Sequence, residues 1–309
     1  MKMKLIYLSI IISFFSFFGC NGNAQPTGGD GSFSYFSKDN FKDYWYQGAA
    51  EISSYTLQQA RYGEIHEGHA VMVFVTEDFS KEKQVKLDNS NDAGNDKVPI
   101  MKLNFTKKFV TGIYPYSMMQ SVFTPVDRKK FPHSLKTTMS AQEWCGHTFT
   151  QFNLKGNEYQ VKGFSYFESE GDQQKNLQVT WLEDEIWNMI RLTPNKLPEG
   201  KIDIIPGSFY LRLKHRDFSV SEANATLATE ASEKIYALTY PQENRTLIIR
   251  FQKDFPYQIL SWEETYQDGW GSDAKVLTTT GKLKKTLKTD YWTKHNNIDR
   301  NLRTELGLE

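Results

Sequence analysis

Short apolar runs of strand length, separated by polar breaks, dominate the chain after residue 41. Residues 49–62 are rich in β-branched and aromatic side chains. Residues 70–75, Ala-Val-Met-Val-Phe-Val, are apolar without interruption, which predicts a strand buried on both faces. Residues 86–97 break the pattern with Asp88-Asn89-Ser90-Asn91 and Gly94-Asn95, the chemistry of a loop. Ile100, Leu103, Phe105, Phe109 and Ile113 then continue an extended stretch, and Tyr114-Pro115 and Thr124-Pro125 bracket another at 116–123. Residues 135–139, 148–154 and 159–167 predict further strands, the last two joined by a hairpin turn at Gly156-Asn157. The same pattern returns at 201–205, 209–215, 235–240, 246–251, 257–266 and 275–287.

One internal segment has helical spacing instead. In residues 180–192, Leu182, Ile186, Met189 and Ile190 fall on one face. Thr180 is placed to cap the start, Glu183, Asp184 and Glu185 suit the positive N-terminal end, and Pro194 stops the helix. A last helix is expected at 297–306, with Gly307 positioned to end it. Strands without regular βαβ alternation predict a mainly β (α+β) fold, a large curved antiparallel sheet with one or two packed helices. By fold-level analogy this resembles the half-barrels of periplasmic lipoprotein carriers. A soft boundary near 170–175 would divide two β-rich halves, and one continuous sheet fits equally well.

The first forty residues follow another pattern. Lys2 and Lys4 precede a charge-free apolar run at 5–18, and Gly19-Cys20 closes it. Fourteen residues of helix rise about 21 Å, short of the ~30 Å hydrocarbon core, so a cleaved export signal at 1–19 is expected rather than a spanning anchor. The arrangement resembles bacterial lipoprotein signal peptides, which implies that Cys20 becomes the acylated first residue. Residues 20–40, with Gly22, Gly28, Gly29, Gly31 and Pro26, read as a flexible tether, and 41–309 as the β-rich globular domain.

Removing residues 1–19 leaves 290 of 309 residues, with 35 basic (37 less Lys2 and Lys4) against 37 acidic. So even a balance provides no basic field for a phosphate backbone, and nucleic acid is excluded as an expected partner. Aromatic residues make up 14% of the chain, enough for sugar, lipid or peptide contacts beyond the core. With Cys20 acylated, Cys145 has no disulfide partner and is expected to be a buried structural thiol.

Several clusters carry candidate chemistry. Cys145 and His147, in Trp144-Cys145-Gly146-His147, are the candidate catalytic pair, with Glu143 or His133 as orienter. On a strand the two would point roughly parallel rather than at each other. His66 and His69 are candidate metal ligands, although His-Glu-Gly-His is one residue short of the helical zinc motif and reads equally as a polar turn. Glu168, Glu170 and Asp172 read as a solvated hairpin end, and Glu183 to Glu185 as helix N-terminal charge rather than a glycosidase pair. Nucleotide-binding glycine motifs and the Gly-x-Ser-x-Gly elbow are absent from the sequence, and no cofactor is expected. Trp45, Tyr114, Tyr116 and Trp262 are the candidate ligand-lining aromatics.

The stretches at 44–52, 59–63, 74–77, 114–119 and 142–147 together resemble an uncharacterised family of Bacteroidota lipoproteins, over nearly the whole mature chain. Members often carry the label septum formation inhibitor Maf. The Ser/Arg-rich motif at the first strand–helix junction of Maf nucleotide pyrophosphatases is missing from this sequence. The resemblance therefore implies a location and no activity. The expected protein is an envelope lipoprotein held to the outer membrane, facing the periplasm, through lipidated Cys20. Its expected role is non-enzymatic, binding an apolar or glycan ligand or a partner protein. The alternative is a periplasmic hydrolase using Cys145 and His147 or a metal at His66 and His69.

Overall fold

A computed structural model describes residues 38–269 and 271–308. Cys20, the expected export signal at 1–19 and most of the expected tether at 20–40 lie outside the described residues. The chain enters through α1 (Lys38–Trp45), although the sequence pattern predicts strand from Phe41 onward. Phe41 and Trp45, four apart, share the buried side of that helix.

Strands β1 (Ala50–Arg61), β2 (Glu64–Ser80), β3 (Val85–Lys86), β4 (Lys97–Thr111) and β5 (Tyr114–Pro125) follow. Next come β6 (Lys136–Glu143), β7 (Gly146–Lys155), β8 (Glu158–Ser165), β9 (Gln173–Gln178) and β10 (Trp181–Leu182). Helix α2 (Glu183–Leu192), β11 (Gly200–Ile205) and helix α3 (Ser208–Leu213) lead into the second half. That half comprises β12 (Ser221–Glu230), β13 (Glu233–Tyr240), β14 (Arg245–Gln252), β15 (Ile259–Asp268) and β16 (Lys275–Thr289), and the chain closes with α4 (Asn301–Glu305).

All the strands belong to one open, curved sheet, so the mainly β expectation holds and the two halves form one continuous sheet. Its order is β10-β11-β12-β13-β14-β15-β16-β1-β2-β4-β5-β6-β7-β8-β9, with β3 beside β2. Every ladder is antiparallel except the short β10–β11 pair. Strands before the suspected boundary run out to one edge at β9, and strands after it start from the other edge at β10. Only Val179 and Thr180 separate those edges.

The continuous apolar run in β2 is covered on both sides, as its pattern predicts. Ala70, Met72 and Phe74 enter the main core, while Val71 and Val73 pack outward against Leu306 and Leu308. Gly307 ends the last helix with φ +64°, a conformation glycine adopts without strain. Gly281 is required by close packing instead, since a Cβ there would lie 2.1 Å from the Trp262 ring, which lies flat against the backbone.

Two segments depart from their sequence pattern. The run at 209–215, expected as a strand, forms helix α3, buried at all six positions. A capping acceptor decides the matter locally: Asp184 takes the Ser208 N–H at 2.9 Å, and Gly207 leaves room for the Glu183 carboxylate. Helix α2 is not amphipathic in use; all ten of its residues are buried inside the curved sheet. Thr180 does not cap it, donating instead to Asp203 O, and the Glu185 carboxylate accepts the Leu182 N–H.

Beside Asp184, which starts α3, the other charged side chains of α2 meet partners around the helix. Glu183 takes both terminal nitrogens of Arg245 on β14 at 2.6 Å and the Tyr240 hydroxyl at 2.5 Å. Glu185 accepts Ser134 N–H at 2.6 Å and pairs with His133 at 3.1 Å. Arg191 grips both oxygens of Glu51 on β1 at 2.6 Å while stacking over Phe74. Asn188 donates across to Met101 O and Thr124 Oγ1. Bidentate pairs of this kind set the orientation of both elements.

Breaking one of these pairs leaves a charge buried alone. Arg191→Leu is expected to lower stability by about 3–5 kcal/mol, read from the urea midpoint. The Glu51→Gln, Arg191→Met double variant should recover most of that loss. A single-variant cost under about 1 kcal/mol would show that the pair does not hold the helix.

Candidate functional site

The hairpin tips at one end of the sheet gather a cluster of tyrosines, tryptophan and arginine. Period-two alternation directs Arg61 of β1 inward, on the same face as Tyr55 and Leu57. Tyr62, in the turn to β2, holds a positive φ of 58°. Arg61 donates to Leu213 O at 2.5 Å, to the Tyr116 hydroxyl at 3.3 Å and to the Tyr62 hydroxyl at 3.3 Å. The Tyr62 and Tyr116 hydroxyls lie 2.7 Å apart, and Tyr114 donates to Tyr62 at 3.0 Å. Burial raises the pKa of all three phenols, which stay protonated as donors.

Trp144, in the β6–β7 turn, stacks on Tyr114 with ring centres 6.3 Å apart and planes inclined by 30°. Its side chain is 67% exposed, so most of the ring is open to a ligand. Beside it, Glu143 accepts the Cys145 N–H at 2.6 Å and faces Arg212 at 3.9 Å. Arg212 also pairs with Glu170 at 3.4 Å, and His215 meets the same carboxylate at 2.5 Å. Burial would raise Glu170, but His215, Ser165 and Arg212 override it and hold the carboxyl below its ordinary range.

The candidate residues read from the sequence fall in different places. Tyr114 and Tyr116 are in this cluster. Trp45 is buried under α1 against Phe74, and Trp262 is buried among Phe105, Trp187 and Tyr55, so both rings meet protein. Cys145, expected to be buried, is exposed in the turn, because the two-residue hairpin lifts it off the sheet. Its pKa is raised, first by its hydrogen bond to Glu143 and then by burial and the Glu143 charge, the opposite of an activated thiolate. Among the described residues no hydrogen bond joins Cys145 to His147, which lies exposed on the adjoining strand. His133, the other expected orienter, binds Glu185 instead.

His66 and His69 are not in a turn but in β2, three residues apart and therefore on opposite faces. His66 stacks on Phe109 and bonds Arg61 O at 2.9 Å. His69 lies beside Lys108, and burial followed by Lys108, Arg303 and Lys284 lowers its ionisation. No group of three His, Cys, Asp or Glu suited to a metal occurs among the described residues. Glu168 and Asp172 are exposed as expected of a hairpin end, whereas Glu183, Asp184 and Glu185 are buried.

Sequence reasoning missed Arg61, Tyr62, Arg212 and His215. The available signal was a charged residue at the inward position of an otherwise apolar strand (Arg61) and another inside the Phe-Tyr-Leu-Arg-Leu run (Arg212). It also missed a small enclosed chamber of about 20 Å³, lined by Lys107, Gln120, Asp184, Trp262 and Glu264. Burial pushes Asp184 up to about 7, with Glu183 adding to the shift, and burial lowers Lys107. No protein-family model and no curated protein matches the chain.

Two outcomes follow from these ionisations. Iodoacetamide should alkylate Cys145 in the native protein, with a rate midpoint above that of a free thiol, and Glu143→Gln should lower that midpoint. An unreactive native thiol would contradict the exposed turn. Asp184 carries a folded value above the 3.8 of the free side chain, so its contribution favours the fold below pH 3.8 and is lost as pH rises through about 7. Asp184→Asn keeps an acceptor for Ser208 N–H and should therefore stabilise the protein by roughly 2–4 kcal/mol at pH 8, and by less at pH 5. Equal effects in urea titrations at both pH values would refute the assignment.

Proposed function

We propose that this protein is a non-enzymatic binding module of the bacterial cell envelope, tethered through lipidated Cys20, whose ligand is a glycan stacked on Trp144 and Tyr114. The observation that carries the reading is the exposed Trp144 ring, stacked at 30° on Tyr114, whose hydroxyl donates to a Tyr62 hydroxyl held in turn by Tyr116 and Arg61. An aromatic face held rigidly before binding costs little ordering when a sugar ring packs on it. Beneath it, Arg61 and the Tyr62, Tyr114 and Tyr116 hydroxyls are spent on one another and on Leu213 O, which holds the platform in place.

Helix α2 fills the concave side, and the enclosed chamber beside it has room for about one water. A carrier reading, with an apolar ligand inside the half-barrel, would need that helix to leave. A binding role is favoured over hydrolysis by the raised Cys145 thiol and by the enclosure of Asp184 and Lys107 away from the mouth.

The membrane anchor at Cys20 belongs to the same reading. The resemblance to Bacteroidota lipoproteins and the apolar leader ending at Cys20 agree with such an anchor.

Trp144→Ala and Tyr114→Ala should each weaken retention on an immobilised envelope polysaccharide by about tenfold or more, measured by affinity electrophoresis. Unchanged retention in both variants would remove the platform from the reading. Separately, Cys20→Ser should abolish incorporation of labelled palmitate and move the protein from the membrane to the soluble fraction. A variant still found in the membrane would refute the anchor.

A further inference from the structure

Tyr166 follows the last residue of β8 and is 74% exposed, so like Trp144 it keeps most of its ring open at this end of the sheet. It rests on the hairpin that carries Trp144. A Cβ at Gly146 would lie 2.8 Å from Cβ, Cγ and Cδ1 of Tyr166, so only a bare glycine backbone lets the ring sit there. Gly146 pairs with Glu143 across the β6–β7 turn, and Trp144 stands two residues before it. Two residues of chain span at most about 7 Å, so Tyr166 and Trp144 rise from adjoining points of one turn.

The segment that carries Tyr166 is tied down in the free protein. Ser165 Oγ donates to Glu170 at 2.6 Å and accepts the Phe167 N–H at 3.2 Å. The Phe167 carbonyl accepts the Glu170 and Gly171 N–H groups at 3.0 and 2.8 Å. The Phe167 ring meets Tyr166 edge to face at 6.0 Å and has the Arg212 guanidinium 4.6 Å from its centre. Arg212 also faces Glu143 at 3.9 Å, the residue before Trp144, so both exposed rings depend on one support. Rings held in place before binding cost little ordering when a ligand packs on them.

The span between the rings sets the length of the ligand. Along the order β5-β6-β7-β8, Tyr114 and Tyr166 stand on opposite sides of the β6–β7 turn, three strand spacings or about 14 Å apart. One sugar stacked over Trp144 and Tyr114 leaves Tyr166 uncovered, whereas linked rings crossing the turn cover both. The residues on that path, Cys145 and Gly146, are small and leave it open. The Cys145 N–H is spent on Glu143, so the path presents ring faces rather than free backbone groups, which suits a sugar chain more than a peptide strand.

We infer that Tyr166 is a second stacking residue of the platform and that the ligand is an extended oligosaccharide, running from Trp144 across Gly146 to Tyr166. The inference rests on the glycan reading above and adds the length of the ligand to it.

The test measures binding of cello-, chito- and malto-oligosaccharides, each as a disaccharide and a hexasaccharide, to the purified protein by calorimetry. In the series that binds, the hexasaccharide is expected to bind about tenfold tighter than the disaccharide. Tyr166→Ala should remove that advantage and leave the disaccharide unchanged, whereas Trp144→Ala should weaken both lengths. Gly146→Ala, whose methyl group would displace Tyr166, should reproduce the Tyr166→Ala pattern. Tyr166→Ala, an exposed substitution, carries the test alone if Gly146→Ala does not fold. Equal affinity for the two lengths, or a hexasaccharide indifferent to Tyr166→Ala, would overturn the inference while keeping the Trp144 platform. Absence of binding in all three series would overturn both.

Discussion

Burying a charged helix is the constraint on which the rest of this structure depends. Carboxylates and guanidinium groups lose their hydration inside the sheet, and each must find an opposite charge or a set of donors in return. The wall around α2 supplies them from three directions: Arg245 for Glu183, His133 and Ser134 for Glu185, and Glu51 for Arg191. These pairings do not add much net stability over a hydrophobic core. They select one rotation and one depth for the helix, because any other would strand a charge.

The mouth of the site inherits its geometry from that choice. Asp184 on α2 accepts Ser208 N–H and so starts α3, whose far end presents Leu213 O to Arg61 and Arg212 to Glu143 and Glu170. Arg61 in turn holds the tyrosine hydroxyls that fix Tyr114 under Trp144. Interior charge and surface platform are thus linked through one short helix. A rigid element beneath a binding surface lowers the ordering that binding requires.

The strands were legible as β-branched, aromatic and apolar runs of strand length, and β1, β2, β4, β13, β14 and β16 lie where those runs fall. Polar β9 and the Ala/Thr-rich β12 escaped, since an edge strand or a weakly apolar one has little contrast between its faces. Phe209 to Leu213 misled for the opposite reason: a segment buried on all sides carries no periodicity, and its helix is set by Asp184, far from local propensity. Of the mouth, Tyr114, Tyr116, Trp144 and Cys145 stood out by residue type. Their assembly with Arg61 and Arg212 depends on cross-strand register and on α3, which no local window contains.

The two-residue link at Val179 and Thr180 gives the sheet an unusual relation to time. It passes the chain from one edge to the other, so the middle of the sequence supplies both edges while the two ends, β1 and β16, pair in the sheet's interior. That seam joins residues more than 200 positions apart, such as Ala50 and Thr289, and chain entropy makes such contacts slow to form. Once the seam is zipped with α2 inside, the helix cannot leave without tearing many ladder bonds together. The fold is therefore expected to be hard to reach and slow to lose, with its lifetime governed by the height of the unfolding barrier.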